Sequence, residues 1–162
     1  MLTIKAPPGR TAALDLGEAR TGVAVSDPGG SLARPLEVVP SERLTGYLDT
    51  LLAQEGITEV VVGVPRTLGG EVGFQAKRVL ARLVTLREEF PTVRFVEWDE
   101  RLTTRLARSS LSVARTGSRK GGQAARRKGG TKERVDHLAA AGMLQEYLDR
   151  RGTFEATPQD PP

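Results

Sequence analysis

The sequence predicts an α/β domain, a mixed sheet of five strands with helices packed on both of its faces. Two observations lead to this prediction. The candidate elements begin with three strands and then alternate between helix and strand, which favours a sheet covered by helices. A chain of 162 residues, 38% of them hydrophobic and 27% charged, is long enough for one domain with a core and too short for two full-sized domains.

The first three strands come from residues 11–39. The segments TAALDL (11–16) and TGVAVSD (21–27) are rich in small and β-branched residues, and a turn glycine lies in the GEAR segment between them. This pattern predicts a hairpin. Residues 32–39 predict a third strand, which ends at Pro40.

Helices and strands alternate in the middle of the chain. Ser41 is a candidate N-cap for a helix whose leucines recur at helical spacing. Residues 58–65, TEVVVGVP, form a continuous apolar run that is typical of a strand buried on both faces. Residues 93–98 predict the fifth strand. The helix predicted over residues 69–90 directs its apolar residues inward, namely Val79, Leu80, Leu83 and Leu86.

The C-terminal part of the chain predicts two helices, at residues 99–115 and 132–150. Between them, residues 116–131 hold five glycines among charged residues and nothing that would build a core, which predicts a flexible loop. We expect the folded domain to span residues 11–150, between a flexible leader at residues 1–10 and a disordered tail at residues 151–162.

The composition excludes several kinds of site. The chain has no cysteine and one histidine, which excludes disulfides, thiolate zinc sites, cysteine nucleophiles and clusters of histidine ligands. No stretch approaches the roughly 18–20 apolar residues of a membrane span, and the N-terminal residues lack the apolar segment of a secretory signal. We therefore expect a cytoplasmic protein.

The positive charge is concentrated in one segment. Residues 115–134 contain eight lysines and arginines and one acid, a net charge of +7, whereas the whole chain carries +4 and the rest of it therefore −3. A mildly acidic body with one strongly basic segment indicates a polyanionic partner. A solvated loop without a partner is the alternative.

Three carboxylates stand out as candidates for chemistry. Asp15 lies within an apolar strand beside a turn, where a charge is costly unless something compensates it. Glu100 follows a strand at the entrance to a helix. Asp136 lies on the apolar arc of the last helix at 100° per residue, together with Ala139, Ala140, Met143, Leu144 and Tyr147.

Each acid also has a purely structural interpretation. Asp15 could accept hydrogen bonds from turn amides, and Glu100 could be an acid favoured by the dipole at a helix N-terminus. Asp136 could pair with Arg134 or Lys132. The three acids together favour a shared site for Mg²⁺ or Mn²⁺, which need only oxygen ligands. Two such ions about 3.5–4 Å apart would support hydrolysis of a phosphodiester.

Four segments resemble, in order, the motifs of the RuvX/YqgF family, described as Holliday junction resolvases and as nucleases that process the 5′ end of pre-16S rRNA. They are ALDLGEARTGVAVSD, VVVGVPRTLGG, DERLTT and VDHLAAAGMLQEYL, and the resemblance covers roughly residues 11–150. It implies a ribonuclease-H-like fold related to RuvC. It also implies catalytic, metal-binding acids at Asp15, Glu100 and Asp136. The loop before the last helix is longer and richer in glycine than the family pattern.

Further residues are candidates for contact with nucleic acid. Arg101 would contact a phosphate or form a salt bridge, and Thr103 would cap a helix or contact a phosphate. The segment PRTLGG (65–70) follows a buried strand, at an edge where α/β folds commonly bind ligands, and its Arg66 would contact a phosphate. In the basic segment, a phosphate clamp would give affinity with little sequence preference, and its candidates are Arg115, Arg119, Lys120, Arg126, Arg127, Lys128 and Lys132.

These features predict a metal-dependent endonuclease for branched or structured nucleic acid. Resolution of a four-way junction would require a homodimer with two active sites, because two strands are cut symmetrically. Processing of pre-16S rRNA is the alternative. A non-catalytic factor in ribosome assembly and an actin-like ATPase are more distant ones. The ATPase interpretation needs two lobes and nucleotide-binding loops that this chain does not contain.

Overall fold

In the computed structural model, the described residues are 9–66, 69, 72–100 and 130–155, with side chains described for 137–151 of the last segment. They form five strands and three α-helices, and a 3₁₀ turn at Ser41–Arg43 precedes the first helix. The strands are β1 (Arg10–Leu16), β2 (Arg20–Ser26), β3 (Ala33–Pro40), β4 (Ile57–Val64) and β5 (Arg94–Asp99). The helices are α1 (Leu44–Glu55), α2 (Phe74–Glu89) and α3 (Gly130–Glu155).

The five strands form one mixed sheet in the order β3-β2-β1-β4-β5. The pairs β1–β2 and β2–β3 are antiparallel, whereas β1–β4 and β4–β5 are parallel. The predicted mixed sheet of five strands is confirmed. Because β1, β4 and β5 run in the same direction, their carboxyl ends meet at one edge of the sheet, which we call the carboxyl edge.

Helices α1 and α2 cover one face of the sheet. The leucines Leu44, Leu48 and Leu51 of α1 are buried, as predicted from their spacing. In α2, Val79, Leu83 and Leu86 are buried and Leu80 is partly buried. These side chains pack on alternate residues of the strands, including Ala12, Leu14, Val60 and Val62.

Helix α3 covers the opposite face. Its residues Ala140, Met143, Leu144 and Leu148 pack against the other set of alternating strand residues, which includes Ala13, Ala24, Val61 and Trp98. The sheet thus has helices on both faces, as predicted. In the part of the chain that the structure describes, no helix is long and apolar enough to cross a membrane.

Two details differ from the sequence-based expectation. Ser41 does not cap a helix: its hydroxyl donates a hydrogen bond to the carbonyl of Gly17 at 3.2 Å, and the residue begins the 3₁₀ turn that precedes α1. Helix α3 begins at Gly130 and extends to Glu155, beyond the predicted 132–150 range at both ends. The predicted helix at 99–115 falls outside the described residues beyond position 100, as does the predicted loop up to residue 129.

The buried carboxylate of Glu59 bonds side chains of α3 at the edge of the sheet opposite the carboxyl edge. Glu59 of β4 is only 8% exposed. It accepts a hydrogen bond from the hydroxyl of Tyr147 at 2.7 Å, and Arg151 and Arg94 lie 3.4 and 3.5 Å from its oxygens. Burial and the Glu59 carboxylate raise the pKa of Tyr147 to about 12, so its hydroxyl keeps the proton that it donates.

We expect Tyr147→Phe to lower the free energy of unfolding by about 1.5–3 kcal/mol, because it removes a hydrogen bond to a buried charge. Urea denaturation measures this effect. Tyr47→Phe is the matched control: its hydroxyl bonds Glu37, which is exposed, so water replaces the lost donor and the loss should be smaller. Equal losses in the two variants would contradict a specific role for the Glu59 cluster.

Candidate active site at the carboxyl edge

Two of the predicted acids lie at the carboxyl edge. Asp15 is the penultimate residue of β1, and Glu100 directly follows β5. The alternation of side chains along a strand decides which face they occupy. Ala13 and Trp98 contact α3. Asp15 comes two residues after Ala13. Glu100 comes two residues after Trp98, just beyond the end of β5, with its carboxylate beside Met143 of α3. Asp15 and Glu100 therefore lie on the α3 face, with β4 between their strands.

A glycine in β4 makes room between the two acids. Gly63 pairs with Trp98 of β5 and comes two residues after the buried Val61. A Cβ atom at Gly63 would lie 2.7 Å from Oε1 of Glu100 and 2.9 Å from Sδ of Met143. The space that a side chain would occupy is therefore filled by the Glu100 carboxylate and by Met143 of α3.

A second glycine shapes the turn beside Asp15. The amide of Gly17 donates a hydrogen bond to the carbonyl of Arg20 at 2.9 Å, which closes the β1–β2 turn. A Cβ atom at Gly17 would lie 2.4 Å from that carbonyl oxygen. Across the hairpin, Asp15 pairs with Gly22, which places no side chain beside the carboxylate. Gly17 thus allows the close approach of the backbone in the turn, and Gly22 leaves the space beside the Asp15 carboxylate open.

Negative charge accumulates at this edge. Burial, together with the charges of Asp15 and Asp99, raises the pKa of Glu100 to about 7. Asp15 is therefore close enough to Glu100 to disfavour its ionisation. A hard divalent cation would reverse this effect, and carboxylate oxygens are the ligands that such cations prefer. The acids of this edge fit a Mg²⁺ or Mn²⁺ ion on these grounds.

The third predicted acid is only partly described. Asp136 lies in the backbone of α3, four residues before Ala140 and seven before Met143, and its side chain is outside the described residues. Among the side chains that are described, no group of three or more histidines, aspartates and glutamates could hold a metal ion. The structure thus brings Asp15 and Glu100 together, and the contribution of Asp136 stays a prediction.

A cleft of about 400 Å³ opens from the two acids toward α2, and we call it the α2 cleft. It runs between the β1–β2 turn and the first half of α2, over a floor that includes Leu44 and Val79. Besides Asp15 and Glu100, its polar lining comprises Glu18, Thr21, Ser41, Gln75, Arg78 and Arg82. Both acids thus border a space large enough for part of a substrate.

Apart from Asp15 and Glu100, the sequence analysis missed the polar residues of the α2 cleft as candidates for binding. One signal was present: Arg78 and Arg82 are four residues apart on a helix, so they share a face. Such a spacing is also common on solvated helices. Only the packing of α2 beside the β1–β2 turn links these arginines to the acids.

Most of the predicted nucleic-acid contacts lie outside the described residues. Arg66 is described: it follows β4 directly and is half-buried, next to Pro65, which lines the α2 cleft. Lys132 lies in the backbone of α3, but its side chain is not described. The remaining candidates fall in the undescribed segment, namely Arg101, Thr103, Arg115, Arg119, Lys120, Arg126, Arg127 and Lys128.

Comparisons with known proteins identify a matching family and similar relatives of this chain. A model of the RuvX family, described as "Holliday junction resolvase", matches residues 9–150. A protein of Rubrobacter xylanophilus, named "Putative pre-16S rRNA nuclease", is 60% identical over 146 residues, which are 90% of this chain and 96% of the relative. A protein of Desulforudis audaxviator with the same name is 39% identical over 145 residues, 88% of this chain and 95% of the relative.

Solved structures share the fold at low sequence identity. Thermus thermophilus RuvC in complex with a Holliday junction substrate matches with a TM-score of 0.51 and 16% identity, over 89% of this chain and 96% of that chain. The yeast mitochondrial Holliday junction resolvase Ydc2 matches with a TM-score of 0.55 and 12% identity, over 92% and 81%. These likenesses confirm the predicted ribonuclease-H-like fold class.

The contacts at Gly63 lead to a prediction about its replacement. In Gly63→Ala, the new methyl group should displace the ends of Glu100 and Met143, which are flexible enough for the chain to fold. Overpacking of this kind costs about 1–3 kcal/mol of unfolding free energy. Gly46→Ala is the control, because a Cβ there meets nothing within 4 Å inside α1. That variant should be more stable than wild type by about 0.5–1 kcal/mol. Urea denaturation distinguishes the two variants. A Gly63→Ala protein as stable as Gly46→Ala would contradict the crowding of a Cβ atom at position 63 by Glu100 and Met143.

The raised pKa of Glu100 predicts a dependence of stability on pH. An acid whose pKa is higher in the folded than in the unfolded protein destabilises the fold once it ionises. Without divalent cations, the contribution of Glu100 is therefore most favourable below pH 4.5 and declines as the pH rises to about 7. Melting temperatures measured in EDTA across this range should fall less in Glu100→Gln than in wild type. Glu88→Gln, at an exposed position on α2, should melt like wild type at every pH.

Proposed function

The chain belongs to the RuvX family of Holliday junction resolvases, and we propose that it is a metal-dependent endonuclease that hydrolyses phosphodiester bonds in branched or structured nucleic acid. The observation that carries this proposal is the proximity of Asp15 and Glu100 at the carboxyl edge, where the Glu100 carboxylate occupies the space left by Gly63. Nothing in a purely structural interpretation of these acids requires two like charges to approach each other.

The residues that would hold the metal are Asp15, Glu100 and Asp136, all of them oxygen donors. Mg²⁺ or Mn²⁺, in our proposal as two ions, would activate water for attack on phosphorus and offset the charge on the phosphate oxygens when bound. Helical periodicity supports the third position, because Asp136 is one turn before Ala140 and two turns before Met143. Both of these residues are buried against the sheet.

The residues of the chain define where the phosphodiester must lie. Asp15 and Glu100 border an open cleft on one side and are backed by the packed α3 face on the other. A substrate strand therefore reaches them from the carboxyl edge. Hydrolysis adds water across a P–O bond, so one new end carries a phosphate monoester and the other a hydroxyl. No covalent intermediate with the protein is required.

We propose a branched DNA, the four-way junction, as the first substrate to consider, because the family description names it. Cutting two strands symmetrically requires two active sites, so this proposal includes a homodimer. The basic segment at 115–134, with its net charge of +7, would supply the contacts to the phosphate backbone. It overlaps the first turn of α3 and ends two residues before Asp136 in the chain.

A pre-16S rRNA nuclease is the second candidate. It is favoured by the name of the Rubrobacter xylanophilus relative, which is 60% identical over nearly its whole length. The proposed chemistry is the same, since water again attacks a phosphodiester beside the same acids. The two candidates differ in the partner of the basic segment and in the need for a dimer, because a single cut in RNA requires one active site.

We expect Asp15→Asn and Asp136→Asn to lower the cleavage rate by more than about 100-fold in Mg²⁺ or Mn²⁺, since each removes a charge from the metal site. The measurement uses purified protein with a synthetic four-way junction, a linear duplex and a pre-16S rRNA leader, resolved on denaturing gels. Asp49→Asn is the matched control, because Asp49 is exposed on α1, and it should cut as fast as wild type.

The substrates separate the candidates. Symmetric cuts in the junction alone favour the resolvase, and cuts in the leader alone favour rRNA processing. If wild type cuts none of the three while binding nucleic acid, the chain is a non-catalytic binding factor. If the two acid variants cut as fast as Asp49→Asn, the proposed metal site is wrong.

A further inference from the structure

The α2 cleft carries positive charge next to the acids. Arg78 and Arg82 lie one helical turn apart on α2, with their Cβ atoms about 5–6 Å from each other, and both line the cleft that Asp15 and Glu100 border. Arginine side chains present several donors in one plane, which suits the oxygens of a phosphate. The metal site alone would use neither arginine.

The present partner of Arg78 is easily exchanged. Nη1 of Arg78 lies 3.3 Å from Oε1 of Glu18, whose side chain is 80% exposed. Ion pairs of this kind contribute little to stability, because water and salt screen them. The guanidinium also lies 5.9 Å from the centroid of the Phe74 ring, which limits the directions that it can take. A phosphate in the cleft can therefore replace Glu18 at small cost.

Arg82 is held in place by a neutral group. Its Nη2 donates a hydrogen bond to Oγ1 of Thr45 at 2.9 Å, and Thr45 in turn donates to Glu89 at 3.1 Å. Within the described part of the chain, the guanidinium of Arg82 thus contacts a hydroxyl and no carboxylate. Its direction is set by this contact, and its charge is left for a ligand.

Thr21 lines the same cleft and has a buried hydroxyl. The residue is 1% exposed, and Oγ1 has no hydrogen-bond partner among the residues that the structure describes. A buried polar atom without a partner costs about 1–3 kcal/mol. The neighbouring Val23 and Val25 on the same face show that an apolar side chain is accommodated on this strand. An acceptor on a ligand in the cleft would supply the partner that the hydroxyl lacks.

We propose that the α2 cleft binds a backbone phosphate of the substrate strand next to the phosphodiester that is cut, with Arg78, Arg82 and Thr21 as its donors. This inference rests on the proposed nuclease function. A strand whose reacting phosphodiester lies at Asp15 and Glu100 enters the adjoining cleft with its next phosphate, because the same walls line both. The two arginines offset the negative charge that the acids would otherwise present to the strand.

Binding measurements test this proposal apart from cleavage. All variants are made in an Asp15→Asn background with Mg²⁺ present, so that strands are bound without being cut, and fluorescence anisotropy follows a labelled four-way junction and a labelled rRNA leader. We expect the double variant, Arg78→Gln with Arg82→Gln, to weaken binding by about tenfold or more. This loss applies to whichever of the two substrates the wild-type protein cuts. The slope of log affinity against log salt should also fall by about one for each arginine.

Lys77→Gln is the matched control. It removes one positive charge, as each arginine substitution does, from the position next to Arg78 on α2. Because Lys77 is exposed and does not line the cleft, this variant should change neither affinity nor salt slope. Melting temperatures verify that each variant is folded. If the double variant binds like Lys77→Gln, the cleft does not hold a phosphate.

Thr21→Val separates a ligand contact from a structural role. We expect this variant to melt at or above the temperature of its parent, because an unpartnered buried hydroxyl is replaced by a methyl group of similar shape. Its affinity should be several-fold lower. A loss of stability with unchanged affinity would show that the hydroxyl serves the fold, and would remove Thr21 from the proposal.

The outcomes distinguish this inference from the function on which it rests. If Asp15→Asn abolishes cleavage but the arginine variants bind normally, the nuclease stands and the phosphate site in the cleft is wrong. If the Asp15→Asn protein cuts as fast as wild type but the arginine variants bind poorly, the metal site is wrong and the cleft still binds nucleic acid. If no variant of the protein binds either substrate, both proposals fall.

Discussion

The proximity of two carboxylates, Asp15 and Glu100, is the unfavourable electrostatic interaction that the rest of this structure maintains. In water two acids would separate, and here burial and mutual repulsion raise the pKa of Glu100 to about 7. Packing keeps them in place. The strands that carry them are fixed on both sides of β4, whose valines are fully buried, and Met143 occupies the remaining space over Gly63. The stability of the core thus offsets the repulsion.

Helix α3 is positioned by contacts at both edges of the sheet. At the carboxyl edge, Met143 packs beside Glu100. At the opposite edge, Tyr147 and Arg151 bond the buried Glu59. Tyr147 also packs edge-to-face on Trp98, near the carboxyl end of β5, with their ring centroids 5.9 Å apart. A helix held at two separated points can neither slide nor rotate freely. Residues far from the proposed chemistry therefore set the position of the turn that carries Asp136.

The two faces of the sheet have different chemistry where they meet the carboxyl edge. The α3 face presents acids, and the α2 face presents the cleft with Arg78, Arg82 and Thr21. In our proposals a polyanionic strand is held by cations on both sides of one phosphodiester, by metal ions at the acids and by guanidinium groups in the cleft. This arrangement would explain how a mildly acidic body accepts nucleic acid, since the repulsive charges are those that the metal ions neutralise.

Much of the fold was predictable from local sequence patterns. Alternating and continuous apolar runs predicted all five strands, and leucine spacing predicted the faces of α1 and α2, because burial imposes these periods on the chain directly. Asp15 and Glu100 were identified from the sequence because a charged residue in or beside an apolar strand is costly unless something compensates its charge. Other features depended on residues distant in sequence: Ser41 bonds Gly17 instead of capping a helix, since a hydroxyl uses whichever acceptor the fold brings near.

The sequence by itself determined the class of the fold, its family and the identity of the candidate acids. Only the tertiary structure decided that Gly63 leaves room for the Glu100 carboxylate and that Arg78 and Arg82 share a cleft with Asp15. The physical reason is the range of the interactions. Hydrophobic periodicity can be read from neighbouring residues. A site consists of side chains that come together only after strands and helices have packed, and no local sequence pattern gives the distances between them.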